Sequence, residues 1–370
     1  MRFSAKNDTI KIVYTPKFTI TQEILANVGL IEAAKEVIEN APLVPVFQAR
    51  FVKDAVLRTV HHGTHIEGNV LSLNEAKRVL EGESVVARDR DVQEVINYRR
   101  VVDYLEQLVP EKKGNDELLA YSQTVLREIN NVACERLVTD GRAGSYRMTQ
   151  VVLRDSGSGE IVFRPPPAIE VPFLLESFFD WLNSTEGRKM HAALRAGIAH
   201  YYLVAVHPFI DANGRTARAF ATLVLFAEKY DIKRFFSLEE YFDKDAARYY
   251  QALMAVDQGN RDIAKRDLTD WLAYFTQAMA VELTRIKEKI RKLSVDVRMK
   301  TRVGHQVQLN ERQTKLMEFL QENGSITTPE ARQVVPGYSD DTLLRDLRFL
   351  MKEGIIRKEG STRASRYLLK

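Results

Sequence analysis

The spacing of apolar positions reads as a succession of helices with few interruptions. Two segments stand out, Ala192–Val206 (AALRAGIAHYYLVAV) and Ala219–Ala227 (AFATLVLFA). Each is long enough for a buried helix and contains neither proline nor an internal charge run. Upstream, Thr21–Asn40 carries Ile24, Leu25, Val28, Ile31 and Ala34 on one helical face. Pro42 and Pro45 interrupt it, and Val46–Val60 follows as a second helix. Asn74–Leu80, Asp91–Leu108, Asn115–Glu135, Phe173–Leu182, Asp243–Val256 and Leu268–Ile290 also read as helices. Residues 8–20 alternate in a β-rich way and predict a strand or an extended arm. One stretch breaks the helical theme: YRMTQVVLR (146–154) and EIVFRPPP (160–167) flank the turn DSGSG (155–159), which predicts a β-hairpin.

The last sixty residues form a pattern of their own. After a linker over 291–309, ERQTKLMEFLQEN (311–323) predicts a helix stopped by Gly324. TTPEARQVV (327–335) starts a shorter one, and Ser339–Glu353 a third, capped by Ser339 and stopped by Gly354. IIRKEG (355–360) and SRYLLK (365–370) then read as paired strands.

Composition changes this picture little. A chain of 370 residues is enough for two or three domains, and 45% hydrophobic with 28% charged residues is ordinary for a soluble globular protein. The lone cysteine, Cys134, excludes an internal disulfide and fits a reducing compartment. Neither a signal pattern nor a membrane-spanning apolar run is evident, so a cytoplasmic location is expected. Charge is more informative. Residues 285–370 hold 19 Lys+Arg against 11 Asp+Glu, whereas residues 1–284 hold 35 against 39. The basic end makes nucleic acid a candidate partner, with a solvated basic helix and linker as the bland alternative.

The candidate chemistry lies between the two apolar helices, in HPFIDANGRTAR (207–218). Pro208 disfavours helical geometry at His207, which ends the first helix there. Asn213 and Gly214 suit a turn and a helix entry with outward N–H groups. Arg215 and Arg218 share a face near the positive end of the new helix, a clamp for a polyphosphate. Asp211 is the candidate Mg2+ ligand and His207 the candidate base. Together these point to nucleotidyl or phosphoryl transfer. A second candidate stretch is His61–Leu73 (HHGTHIEGNVLSL). Its three histidines show no ligand spacing with an acid or cysteine, so a metal site is not expected.

HPFIDANGRTAR resembles the signature of the Fic domain family, HPFx(D/E)GN(G/K)RxxR, at His207, Pro208, Phe209, Asp211, Asn213, Gly214, Arg215 and Arg218. Ala212 departs from the usual glycine. Gly214, where a phosphate-transferring branch carries lysine, favours AMP transfer. IEGN resembles the family's inhibitory motif, (S/T)xxxE(G/N), with Glu67 as the inhibitory acid; Gly63 stands where serine or threonine is expected, with Thr64 one place late. The resemblance implies a mainly α fold: a Fic helical core with a hairpin flap that pairs with a target segment, and a C-terminal winged helix-turn-helix. It implies residues 1–110 as a regulatory region, 111–290 as the catalytic core and 310–370 as the winged helix.

The implied activity is AMP transfer from ATP to a Tyr, Ser or Thr hydroxyl of a target protein, inhibited by Glu67 pairing with Arg218. His207 would be the base and Asp211 the Mg2+ ligand. Asn213, Gly214, Arg215, Thr216, Ala217 and Arg218 would hold the phosphates, with Tyr241 and Tyr250 as adenine candidates. Two other readings stay open: a DNA-binding regulator whose Fic core senses nucleotide, and a Fic enzyme that removes AMP. The winged helix is a candidate for DNA or for protein contact. Its third helix mixes Asp340, Asp341 and Asp346 with Arg345, Arg348 and Lys352, while the wing carries Arg357, Lys358, Arg363 and Arg366. A homodimer is also a candidate.

Overall fold

A computed structural model of the chain describes residues 14–41, 45–109, 119–139, 141–154, 159, 161–230, 232–256, 262–302, 309–360 and 365–369. Two compact units emerge, one formed by residues 1–40 with 45–287 and the other containing 288–370.

In the first unit the helices are α1 (Gln22–Glu39), α2 (Pro45–His65), α3 (Leu73–Leu80), α4 (Asp89–Leu108), α5 (Gln123–Ala133), α6 (Val171–Asn183), α7 (Thr185–Lys189), α8 (Ala192–Val206), α9 (Asn213–Ala227), α10 (Leu238–Lys244), α11 (Ala246–Val256) and the first part of α12 (Thr269–Arg302), which runs past the end of this unit at 287. Between α5 and α6 lie β1 (Leu153–Arg154) and β2 (Ile161–Phe163), antiparallel with Leu153 opposite Phe163. The hairpin is present, with shorter strands than its apolar segments suggested; most of its turn lies outside the described residues. Segment 8–20 is an extended arm over its described part. Tyr14 is buried, Lys17 bridges to Asp267, and the Thr19 N–H donates to Thr269 Oγ1 at 2.8 Å.

The core is built on α8 and α9. Fourteen of the fifteen α8 residues are buried, and so are twelve of fifteen in α9, including three of its polar ones besides Asn213: Arg215, Thr216 and Arg218. A helix apolar all round must be enclosed, and α2, α4, α5 and α6 pack around this pair.

Local details depart from the sequence reading in instructive ways. α1 buries Ile24, Asn27, Ile31, Ala34 and Ile38, a 3.6-residue stripe that leaves Leu25 58% exposed. α2 continues five residues beyond Val60 and carries the three histidines on its last turns. The helix expected over 243–256 is two, α10 and α11, parted at Asp245. The helix expected to end at Ile290 continues to Arg302, so much of the expected linker is helical; the segment 291–302 holds no glycine or proline to stop it. Residues 303–308 of that linker lie outside the described residues. Among the described residues no helix is long and apolar enough to cross a membrane.

The second unit contains α13 (Glu311–Asn323), β3 (Ser325–Thr327), α14 (Thr328–Val334), α15 (Asp340–Lys352), β4 (Ile356–Glu359) and β5 (Arg366–Leu369). Gly324, at φ 76°, ends α13 in the left-handed region where a Cβ is disfavoured. β3 is an addition: Ser325–Thr327 pairs with Leu368–Arg366, giving the sheet order β3-β5-β4. Leu316, Leu320, Ile326, Leu343, Leu347, Leu350, Ile356 and Tyr367 form its core.

Candidate active site

The loop 207–212 turns the chain from α8 into α9, and its geometry is set by two left-handed residues. His207 caps α8 at φ 51°, ψ 59°, and Ala212 precedes α9 at φ 56°, ψ 27°. A non-glycine residue there costs about 1–2 kcal/mol. The turn must therefore be held from outside. Asn213 holds it from within: its Nδ2 donates to the Phe209 carbonyl and its Oδ1 accepts from the Phe209 N–H, both at 2.9 Å. Asn130 Nδ2 donates to the Asp211 carbonyl at 3.0 Å and to Thr216 Oγ1 at 3.1 Å. Cys134 is buried beneath the same carbonyl, and burial pushes its thiol up to about 12, so it fills space rather than reacting.

His207 Nδ1 lies 3.3 Å from the Val204 carbonyl. A carbonyl only accepts, so Nδ1 carries the hydrogen and Nε2 keeps its lone pair. Burial lowers the pKa of His207 from 6.5 to about 4, with Arg147 pushing the same way against the Val204 hydrogen bond, Glu67 and Asp211. The ring is neutral at neutral pH, as a general base must be. Phe163 of β2 lies against it, ring centroids 6.4 Å apart.

At the other end of the loop, Glu67 bridges both arginines. Arg215 Nε donates to Glu67 Oε2 at 2.8 Å and Arg218 Nη2 to Glu67 Oε1 at 2.7 Å. Burial pushes the Glu67 carboxyl up, but Arg215 and Arg218 outweigh it and leave the group below its ordinary value. The expected partner was Arg218; Arg215 is added. Gly214 makes the approach possible, because a Cβ there would collide with Glu67 Oε1. Arg218 Nη2 also donates to the Gly63 carbonyl at 2.8 Å. Gly63 itself is fixed by packing, since a Cβ would overlap the Tyr98 ring. Thr64 turns its hydroxyl inward to the Val60 and His61 carbonyls. Arg215 Nη1 and Arg218 Nε are buried without a hydrogen-bond partner. Unmatched buried donors of this kind suit a multiply charged anion.

Asp211 lies beside this clamp. Burial raises its carboxyl, while Arg90, the Ala212 N–H and Arg215 lower it further, so it is ionised. Its Oδ2 accepts from Arg90 Nη2 at 2.7 Å. One ionised, part-exposed carboxylate at a helix N-terminus suits Mg2+, which completes its shell from phosphates and water. No group of three or more His, Cys, Asp or Glu among the described residues could hold a metal by itself. The α2 histidines are otherwise engaged: His62 and His65 face Asp243 at 2.7 and 2.9 Å, and His61 Nε2 faces the Leu71 carbonyl.

The other expected site residues have partners within the chain. Tyr241 packs its ring against Phe242 and Tyr274. Tyr250 donates its hydroxyl to the Ile66 carbonyl at 3.1 Å, next to Glu67. The Thr216 N–H is already bonded to the Ala212 carbonyl, which leaves the earlier amides of α9 for an anion. The side chain of Asn213 is engaged by the loop, so its contribution is to loop shape. Sequence reasoning missed Asn69, Arg90, Glu94 and Arg147. Asn69 Nδ2 donates to Glu94 Oε2 at 3.0 Å, and Glu94 Oε1 accepts from Arg90 Nε at 3.0 Å, tying the IEGN turn to the Asp211 carboxylate. The Arg90–Glu94 spacing on α4 was a visible signal.

Comparison with known proteins is consistent with this geometry. Residues 116–225 match the family model described as the Fic/DOC family. The protein adenylyltransferase Fic of Nematostella vectensis is 26% identical over 226 residues, covering 58% of this chain and 48% of that protein. The protein adenylyltransferase fic-1 of Caenorhabditis elegans is 32% identical over 182 residues, covering 48% and 33%. The chain thus spans about half or less of the length of these curated relatives. The crystal structure of a Fic family protein from Desulfovibrio desulfuricans G20 shares the fold, with a TM-score of 0.65 over 96% of this chain and 98% of that one at 24% identity.

Proposed function

The chain carries a Fic domain at residues 116–225, and from that premise we propose that it transfers AMP from ATP to a Tyr, Ser or Thr hydroxyl of a target protein. One observation carries the reading: a neutral His207 with a free Nε2 stands at one end of a loop whose other end presents Arg215 and Arg218. Nε2 takes the hydroxyl proton. The oxygen forms a bond to the α-phosphorus, the bond from that phosphorus to the bridging oxygen of the β-phosphate breaks, and pyrophosphate leaves. The first amides of α9 and Arg215 hold the α- and β-phosphates, and Arg218 holds the γ-phosphate. Asp211 would hold Mg2+, which neutralises phosphate charge. Glu67 occupies both arginines and so restrains the reaction by misaligning the triphosphate. Residues 1–110 are then regulatory and 111–290 catalytic. A lone buried cysteine fits a cytoplasmic enzyme. The test is incubation of the Glu67→Gly chain with α-labelled ATP, Mg2+ and lysate, followed by mass spectrometry. AMP on protein hydroxyls is the expected result; label that stays on nucleotide contradicts it.

A second reading concerns residues 310–370, which we interpret as a winged helix-turn-helix that contacts DNA. Two of the three acids of the third helix are paired within the unit. Asp346 is buried against Arg312 and Gln313, and Asp340 pairs with Arg332. Asp341, Arg345, Arg348 and Lys352 remain exposed at helical spacing along α15, with Arg357 and Lys358 exposed on β4. A mobility shift with duplex DNA that weakens steeply with salt is expected. Absence of any shift at low salt leaves a protein-contact role.

A further inference from the structure

The guanidinium of Arg147 lies between two pieces of backbone that the reaction must bring into register. Toward the loop, its Nε donates to the His207 carbonyl at 2.8 Å and its Nη2 reaches the Val206 carbonyl at 3.4 Å. Its backbone N–H donates to the Pro208 carbonyl at 2.9 Å. Toward the flap, Nη2 donates to the Pro166 carbonyl at 2.5 Å and Nη1 to the Thr149 carbonyl at 3.3 Å. Thr149 precedes β1 and Pro166 follows β2, so these are the two roots of the hairpin. The side chain is buried, at 4% exposure. Its partners here are carbonyls, which leave the positive charge uncompensated.

His207 needs such a support, because its left-handed backbone is unfavourable and must be held by its surroundings. A planar fork with five donors can bind four carbonyls from two directions at once, which a lysine ammonium on a flexible stem cannot do. We propose that Arg147 is a positioning residue for the transfer, coupling the roots of the flap to the backbone of His207. A target strand seated on β1 and β2 is thereby aligned with the base. The inference rests on the reading of His207 as base. The charge has a second effect: it stands beside His207 and favours the neutral, proton-accepting ring, in the same sense as burial.

The test uses the full chain in a Glu67→Gly background, with lysate protein and α-labelled ATP as the probe. Arg147→Gln and Arg147→Lys are compared with that parent for ATP affinity by calorimetry, labelling rate from pH 3.5 to 8, and hydrogen exchange at residues 151–153 and 161–163. Both variants should bind ATP within about twofold of the parent and label at least about tenfold more slowly, within the range of base catalysis. For Arg147→Gln the acid limb of the rate profile should move to higher pH, because a cation has been removed. Arg147→Lys keeps the charge, so its acid limb should stay while its rate falls and flap exchange quickens. A Gln variant that labels at the parent rate, or slows without movement of the acid limb, overturns the coupling. If the Gln variant does not fold, the Lys variant decides: parent rate with parent flap exchange overturns it. His207→Ala labelling at the parent rate would instead remove the base reading on which the inference rests.

Discussion

The two ends of the loop between α8 and α9 are held in opposite ways. At the His207 end the partners are backbone carbonyls and buried packing, and the ring is already neutral with Nε2 available. At the arginine end the partner is a carboxylate, Glu67, 148 and 151 residues away in sequence, on the two arginines that the proposed function assigns to phosphates. One end is ready and the other is occupied. On the function proposed above, restraint of this kind acts on substrate alignment and leaves the base intact, so a single side chain can release it.

Removing the ready end should have the largest effect. His207→Ala should lower AMP transfer by roughly 10²–10⁴-fold while nucleotide affinity, measured by calorimetry, stays close to the parent value. A parallel loss of affinity would mean that the two ends are not separable.

The contact between Arg90 and Asp211 tests how far the occupied end extends. Arg90 is half exposed, and exposed ion pairs contribute about 0.2–1 kcal/mol. Arg90→Ala should therefore lower the Mg2+ concentration for half-maximal labelling by only ~2- to 5-fold. An unchanged or raised requirement would remove Arg90 from competition for the metal ligand.

A different effect of the ready end is on stability. The pKa of His207 falls from 6.5 to about 4 on folding, so the unfolded chain binds the proton more readily. That contribution is complete above pH 6.5 and is lost as pH falls toward 4. Melting should drop between pH 7 and 5 by an amount worth roughly 1–2 kcal/mol, and His207→Ala should lose that part of the slope. An identical slope in the variant would contradict the depressed value.

Most of the helical framework was legible because its signals are local. The apolar runs of α8 and α9, the Ser339 cap and the stop at Gly324 each follow from a few neighbouring residues. The loop chemistry was legible for the same reason, since twelve consecutive residues carry it. Hidden were pairings that only the fold creates: Arg147 with the flap roots, Arg90 with Asp211, and Asn69 with Glu94. Apart from Thr149, two residues from Arg147, the partners lie 19 or more residues away in sequence. Gly63 also changed meaning. In sequence it was a departure from the serine or threonine of the inhibitory motif, whereas Tyr98 requires its small size and Arg218 uses its carbonyl. The ring neighbours of Tyr241, Phe242 and Tyr274, were equally hidden, since Tyr274 lies 33 residues away in sequence.

The central claim is that Glu67 blocks a site that is otherwise complete. It is tested most directly by the rate of target labelling with α-labelled ATP for the unaltered chain and for Glu67→Gly at matched concentrations, with Arg218→Ala alongside. Glu67→Gly should label at least about tenfold faster, as expected when a charge-assisted bidentate contact is removed. Arg218→Ala should stay slow, because the γ-phosphate loses its own partner. Equal rates for the unaltered chain and Glu67→Gly would contradict the account.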